Sequence, residues 1–307
     1  MRGGHDQALR ARGDGKLKKV ALLTHPRGRE AAEIAQRLER TLRAAGIQTQ
    51  RTQRERGKDR RLPSDVELLI AVGGDGTVLR AQRMAVPAGI PVLGIAGGRL
   101  GFLAEVAPPQ LDDSIRRLLT GDYRIENRGM LAVTHERAGK PHGEHTALND
   151  AVLARGRSPR SLWISVSVDD AHLANYVADG IVAATATGST AYSLAAGGPI
   201  LSPELRNVIL TPIAAHLSIV QSVILSPDSR VTLELVRSQD ASLTVDGQVD
   251  TTFSLGDRLL ITTSDVQARF VRMTPPSQFY TNLVARLQHD LDRMHGPSGT
   301  DVEPAKA

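Results

Sequence analysis

The 307-residue chain contains no cysteine, which removes disulfide staples, thiolate metal sites and a cysteine nucleophile from consideration in one step. Aromatic residues are nearly as scarce, at 3% of the chain. A protein that stacks the bases of a single nucleic-acid strand on its rings needs more of them, so no nucleic-acid partner is expected. No run of eighteen apolar residues occurs, and the basic first nineteen residues lack an apolar core. Neither a membrane span nor a secretory signal is therefore expected, and a reducing, cytoplasmic setting is. Two common nucleotide signatures, GxxxxGK(S/T) and GxGxxG, are also missing. Any phosphate-binding turn in this chain is of another kind.

What is present begins with charge. The formal balance is +5, but it is unevenly spread. Six Lys and Arg against two acids fall in residues 1–19, and six against two fall in residues 51–61. The rest of the chain is net negative, so the basicity belongs to a polar tail and one loop rather than to a nucleic-acid-binding face. Hydrophobic residues at 41% and charged residues at 23% suit one large or two ordinary globular domains.

The apolar pattern divides the chain near residue 123. Before it, the short runs at 19–24, 47–50, 66–72 and 91–95 read as strands. They alternate with helical spacing over 29–45 (Ile34, Leu38, Leu42), 77–85 and 108–119 (Leu111, Ile115, Leu118). Strands alternating with helices predict a parallel sheet covered on both faces. After residue 123, period-two segments such as 162–168, 231–236 and 259–263 dominate, with Asp169-Asp170 and Asp246-Gly247 as hairpin turns. Phe279, Leu283, Leu287 and Leu291 restore helical spacing over 277–294. The expected division is a disordered tail at 1–17, an α/β domain at 18–123 completed by helix 277–294, a β-rich domain at 124–276, and a disordered tail at 295–307.

The sharpest local feature is Gly73-Gly74-Asp75-Gly76-Thr77, where a buried strand stops and a helix begins. Glycines let backbone N–H groups approach an anion, and a helix N-terminus adds a favourable dipole for phosphate. In an open parallel sheet, ligands sit at the carboxyl ends of strands, where this turn falls. A carboxylate among phosphates makes electrostatic sense as a base for an incoming hydroxyl or as a contact to Mg²⁺, and both roles belong to phosphoryl transfer. The plain alternative is a tight turn whose Asp75 caps the following helix. A second cluster, DGIVAATATGSTAYSLAAGGP at 179–199, supplies Thr185, Thr187, Ser189, Thr190 and Ser193 around Gly188, with one aromatic ring at Tyr192. Such a strip suits a ribose and a stacked adenine, or else a buried packing segment with Tyr192 as core filler. Asn149 and Asp150 form either a polar clasp for a nucleoside or an ordinary turn. The His-rich stretch 135–145 reads as a solvated hairpin loop rather than a metal cluster.

In order and spacing these segments resemble the ATP-NAD kinase family. The resemblance rests on GGDGT at 73–77, GIAGGRLGFL at 94–103, LND at 148–150, DG at 179–180, TATGSTAYSLAAGGPI at 185–200 and DGQ at 246–248. It implies an N-terminal α/β domain and a β-rich, sandwich-like C-terminal domain, with the last helix packing back on the first. It further implies transfer of a phosphoryl group from ATP, or from inorganic polyphosphate, to the 2′-hydroxyl of the adenosine ribose of NAD⁺, with a divalent cation such as Mg²⁺, giving NADP⁺. On this resemblance Asp75 is the general base, and Gly73, Gly74 and Gly76 approach phosphates. Asn149 and Asp150 hold the adenosine part of NAD. Thr187, Gly188, Thr190, Ala191, Tyr192 and Ser193 form the adenine and ribose pocket. Asp179 reaches the nicotinamide end across a subunit interface, Gln248 is a further dinucleotide contact, and Arg80 and Arg160 are basic binding residues. A homo-oligomer, dimer or tetramer, is implied as well. Ala96 and Ala186 depart from the Asn and Pro that many members carry there. The competing readings are a lipid or sugar kinase sharing the GGDGT turn, and a dinucleotide-binding regulator without catalysis.

Overall fold

The computed structural model describes residues 17–24, 28–52, 54–55, 58–59, 61–216, 220–237, 240–284 and 286–287. The two expected tails lie almost wholly outside these residues.

The N-terminal half is built around β1 (Lys19–Thr24), α1 (Arg29–Ala44), β2 (Gln48–Thr52), the small hairpin β3 (Arg54–Glu55) and β4 (Lys58–Asp59), β5 (Leu68–Gly73), α2 (Asp75–Ala85), β6 (Val92–Ala96) and α3 (Leu111–Thr120). β1, β2, β5 and β6 pair in parallel in the order β2-β1-β5-β6. Because side chains alternate across a strand, each central strand feeds two cores. Val20, Leu22, Ile70 and Leu93 face α1 and α3, against Ile34, Leu38, Leu42, Leu111 and Ile115. Ala21, Leu23, Leu69 and Val92 face α2, against Val78, Ala81, Met84 and Ala85. A fully buried leucine such as Leu38 contributes roughly 1.5–3 kcal/mol, and truncating it to alanine costs about 2–5 kcal/mol because a cavity remains.

The sheet does not end at residue 123. β7 (Arg124–Arg128) and β20 (Ala268–Arg272) complete it in the order β6-β20-β7. β20 is parallel to β6 and β7 is antiparallel to β20. Both strands come from the 124–276 stretch that the change of period assigns to the second domain. Their pairing joins positions more than a hundred residues apart, which no local pattern announces. Phe270 of β20 is fully buried in the α2-side core.

The remaining strands form two antiparallel sheets. One contains β8 (Leu131–Arg137), β9 (Lys140–Ala147), β11 (Leu162–Val168), β12 (Ala171–Ala178), β16 (Val231–Arg237) and β19 (Arg258–Thr263), ordered β12-β11-β16-β19-β8-β9. The other contains β10 (Asp150–Arg155), β13 (Gly180–Ala184), β14 (Val208–Ile213), β15 (Val223–Leu225), β17 (Ala241–Val245) and β18 (Val249–Phe253), ordered β15-β14-β13-β10-β17-β18. Ile164, Val166, Leu233 and Ile261 from the first sheet meet Leu153, Ile181, Ala183 and Leu243 from the second, the packing of a β-sandwich. The outer face of the second sheet carries Val152, Val182, Ala184 and Ile209, covered by Ala186 and Leu201. The TGSTAY strip, including the four-residue α4 (Tyr192–Ala195), thus lies over one sheet of the sandwich.

The segment 135–145 is a hairpin, as read, turning at Ala138-Gly139 with positive φ at both. It is not wholly solvated, which corrects the sequence reading. His135 is 1% exposed, stacks on Phe253 with ring centroids 4.7 Å apart and lies 2.9 Å from Asp257. Among the described residues, no three His, Asp or Glu converge to hold a metal ion. The chain is helical again over 279–284 and 286–287. Leu283 is buried and Arg286 bonds to carbonyls of residues 102 and 104, so the described part of this helix returns to the first domain. Leu291 lies outside the described residues.

Candidate functional site

β5 carries six consecutive buried residues and stops at Gly73, where the chain turns directly into α2. Thr77 folds back over the turn so closely that a Cβ on Gly73 would sit 2.9 Å from the Thr77 Cβ, which explains the glycine there. Gly74 and Gly76 are exposed, and nothing lies within 4 Å of where their Cβ atoms would be. The turn therefore presents bare backbone to solvent at the carboxyl edge of the parallel sheet and the N-terminus of a helix, the place where such sheets take phosphate.

Asp75 opens α2, yet its side chain does not cap the helix; the N-cap is Gly74, with no side-chain cap bond. Instead the carboxylate reaches across to the segment after β6. Oδ2 accepts from the Phe102 N–H at 2.8 Å and Oδ1 from the Leu103 N–H at 3.0 Å. Two amide donors fix the carboxylate's orientation while each oxygen keeps a lone pair for another partner. The helix-capping alternative is thereby set aside.

Asn149 and Asp150 are held by a different device. Asp246, at the β17–β18 turn with φ +52°, accepts from three successive backbone N–H groups: Leu148 at 2.9 Å, Asn149 at 2.7 Å and Asp150 at 3.2 Å. From the other side, Thr185 takes the turn's carbonyls, its N–H donating to the Asn149 O and its hydroxyl to the Leu148 O at 2.6 Å. Gly188 packs so tightly on Asn149 that a Cβ would lie 2.6 Å from the Asn149 carbonyl carbon. The LND turn and the TGSTAY strip are thus one unit. Asn149 Oδ1 is buried with no protein partner, an acceptor that a ligand N–H or O–H would satisfy. Burial, with the Asp246 carboxylate beside it, pushes the Asp150 carboxyl up to about 7. Asp246 is also raised by burial, against its three N–H bonds and the charge of Arg83.

An open cleft has Phe102, whose amide holds Asp75, in its wall together with Thr187 and Thr190 of the strip, while Asp75, Asn149, Asp150 and Tyr192 lie outside its lining. Its floor is a charged network. Glu126 accepts from Arg128 at 2.7 Å and from Arg272 at 3.1 Å, and Arg272 also pairs with Glu105 at 3.2 Å. Burial alone would raise the Glu126 carboxyl, but Arg272, Arg128 and Arg124 outweigh it and hold the group at about 2. Burial lowers the Arg128 guanidinium to about 10, still charged at neutral pH.

The other expected site residues distribute as follows. Thr187 accepts from Arg128 at 3.4 Å, Thr190 bonds to the Thr187 carbonyl, and Ala191 is half-buried. Tyr192 is 46% exposed and so is not core filler. Ser193 is buried with its hydroxyl against Thr211 at 3.2 Å, which turns it away from the cleft. Arg80 lies on α2, half-buried. The Gln248 amide oxygen accepts from Arg83 of α2 at 2.9 Å and ties the sandwich to the first domain. Asp179 pairs with Arg155 at 3.1 Å, at the far end of the strands whose near end carries Asp150. Five residues of strand separate them, roughly 17 Å, and Arg160 is exposed beyond Arg155. Asp179 and Arg160 thus lie toward the end of these strands opposite Asp150. The sequence reading missed Asp246 as a support and the arginine–glutamate floor. Asp246 was visible as a hairpin residue and as part of the DGQ motif, but with no partner assigned, and the floor joins strands distant in sequence.

A carboxylate anchored in a glycine turn, at the carboxyl edge of a parallel sheet and beside a cleft shared with a β-sandwich, is the arrangement of a phosphotransferase acting on a nucleotide. Comparison narrows the class. Residues 46–123 match the family model of the ATP-NAD kinase N-terminal domain, and residues 148–273 that of the ATP-NAD kinase C-terminal domain. An NAD kinase of Chloroflexus aggregans is 41% identical over 273 residues, covering 89% of this chain and 99% of the relative. The crystal structure of a yeast NADH kinase with NADH superposes with a TM-score of 0.78 at 22% identity, covering 95% of this chain and 91% of that one. An NAD kinase from Archaeoglobus fulgidus in complex with ATP superposes with a TM-score of 0.70 at 23% identity, covering 88% and 98%. The chain belongs to the ATP-NAD kinase family.

Proposed function

We propose that the protein transfers the γ-phosphoryl group of ATP to the 2′-hydroxyl of the adenosine ribose of NAD⁺. The observation that carries this reading is Asp75, held by the Phe102 and Leu103 amides in an exposed glycine turn beside the cleft. Asp75 takes the proton of the 2′-hydroxyl as its oxygen forms a bond to the γ-phosphorus; the bond from that phosphorus to the β,γ-bridging oxygen breaks, and ADP leaves. Gly74 and Gly76 offer room and backbone dipoles to the phosphates. Asn149 and Asp150, with Thr187, Thr190, Ala191 and Tyr192, hold the adenosine part.

A divalent cation such as Mg²⁺ would be carried by the donor's phosphates with one or two protein carboxylates. Asp75 is the carboxylate placed to contribute. When bound, the cation neutralises charge on the transferring phosphates. A homo-oligomer in which Asp179 serves the nicotinamide end of a neighbouring copy's site is part of this proposal. No helix among the described residues is long and apolar enough to cross a membrane. Incubation with NAD⁺, ATP and Mg²⁺ is expected to form NADP⁺, and parallel reactions with polyphosphate or NADH define the range of donor and acceptor. Turnover of a lipid or sugar alcohol in place of NAD⁺, or tight NAD(H) binding without turnover, would refute the reading.

A further inference from the structure

The carboxylate of Asp75 is only as fixed as the amides that hold it. Those amides belong to residues 101–104, which form neither helix nor strand. Three side-chain contacts hold this segment by its carbonyls. Arg286, on the returning C-terminal helix, donates from Nη1 to the Phe102 O at 3.2 Å and from Nη2 to the Ala104 O at 3.3 Å. Arg272 of β20 donates to the Leu103 O between them at 3.1 Å. The Arg286 guanidinium also lies 5.6 Å from the centroid of the Phe102 ring.

The Phe102 carbonyl and the Leu103 N–H are two ends of one planar peptide unit. Arg286 grips the carbonyl end, and Asp75 Oδ1 accepts from the N–H end. A charged donor on a peptide carbonyl polarises the same unit's N–H, so this chain of hydrogen bonds both orients and strengthens the bond to the carboxylate. Arg286 Nε is buried without a partner, so the side chain keeps this place although one of its own donors goes unmet. Burial and the charge of Arg272 lower the Arg286 guanidinium, while Asp75 and Glu105 oppose the shift.

Resting on the kinase reading above, we propose that Arg286 is a positioning residue for catalysis: through the 102–103 peptide unit, the C-terminal helix sets the orientation of the Asp75 carboxylate toward the ribose hydroxyl. Displacement of a catalytic group by about 1 Å costs on the order of 10²-fold in rate. Arg286→Ala is therefore expected to lower kcat by about 10- to 100-fold while the KM for NAD⁺ changes by less than kcat does, because the Arg286 hydrogen bonds go to the carbonyls of Phe102 and Ala104 and not to the LND turn or the TGSTAY strip. Arg286→Lys is expected to fall between, since an ammonium lacks the planar fork that spans two carbonyls.

The same substitutions on an Asp75→Asn background separate a role through Asp75 from a general structural one. If Arg286 acts through Asp75, the double variant is no slower than Asp75→Asn alone. Should Arg286→Ala fail to fold, Arg286→Lys carries the test with the same kcat-against-KM comparison. An unchanged kcat in the folded variant, a rise in KM alone, or a full multiplicative loss on the Asp75→Asn background overturns the proposal while the kinase reading stands. A wild-type protein that forms no NADP⁺ overturns both.

Discussion

Asp75 and Asp246 use the same bond for different ends. Each carboxylate accepts main-chain N–H groups from a neighbouring segment, but Asp75 remains half-buried beside the cleft, whereas Asp246 is sunk beneath the LND turn. The first is a reactive group held by a loop; the second is a support that holds one. Asp246→Ala leaves three turn amides without their acceptor, and each buried amide left unpaired costs about 1–3 kcal/mol. The variant is expected to lose about 2 kcal/mol or more of stability in a denaturant titration, and its KM for NAD⁺ is expected to rise more than its KM for ATP. Asp150 gives a pH signature of its own. Its folded-state carboxyl titrates near 7 against an unfolded value of 3.8, so the folded protein holds a proton that the unfolded chain has released. The stability this group contributes is whole below pH 3.8 and is lost as the pH rises through about 7. Asp150→Asn should flatten that decline in melting temperature between about pH 4 and 7.

The strand–turn–helix unit around Gly73 was legible in the chain because every signal for it is local: the apolar run 66–72, the glycines, and the helical character of 77–85. The structure shifts the boundaries by only a residue or two, with β5 at Leu68–Gly73 and α2 at Asp75–Ala85. The placement of β7 and β20 was not legible, since an alternating strand can join either sheet and the choice is made by partners such as Val92 and Phe270. The burial of His135 was hidden for the same reason, its acceptor Asp257 lying 122 residues away. The TGSTAY strip was legible as a small-residue segment, but not which of its hydroxyls face the cleft; Ser193 turns inward because Thr211 is there to meet it. The strip's contact with the LND turn hinges on Gly188. A Cβ at this position collides with the Asn149 backbone, so Gly188→Ala is expected to weaken NAD⁺ binding by tenfold or more in calorimetry. Unchanged affinity would show that the two elements need not touch.

Charged groups link strands and domains, beside the apolar packing of Met130 and Leu148 against α2. Glu126, Arg128 and Arg272 tie β7 to β20 and to Thr187, while Arg83 reaches Gln248. Glu126 is held at about 2 against an ordinary 4.5, so its contribution is present above pH 4.5 and is lost as the pH falls toward 2. Glu126→Gln should therefore show a shallower acid limb in a stability-versus-pH curve, though a lower plateau at neutral pH, because its arginine partners are then left uncompensated. Assembly has its own test. If Asp179 serves the site of a neighbouring copy, mixing inactive Asp75→Asn with impaired Asp179→Ala protein and allowing subunits to exchange should restore part of the activity.

The central claim is that Asp75 takes the proton from the 2′-hydroxyl of NAD⁺ while ATP supplies the phosphoryl group. Its most direct test is the rate of NADP⁺ formation from NAD⁺, ATP and Mg²⁺ by wild type and Asp75→Asn, with NAD⁺ affinity measured for both. The account predicts NADP⁺ from the wild type, a loss of about 10²- to 10⁴-fold in kcat on substitution, and NAD⁺ affinities within a few-fold of each other. No NADP⁺ from the wild type, or an Asp75→Asn enzyme as fast as the wild type, would contradict it.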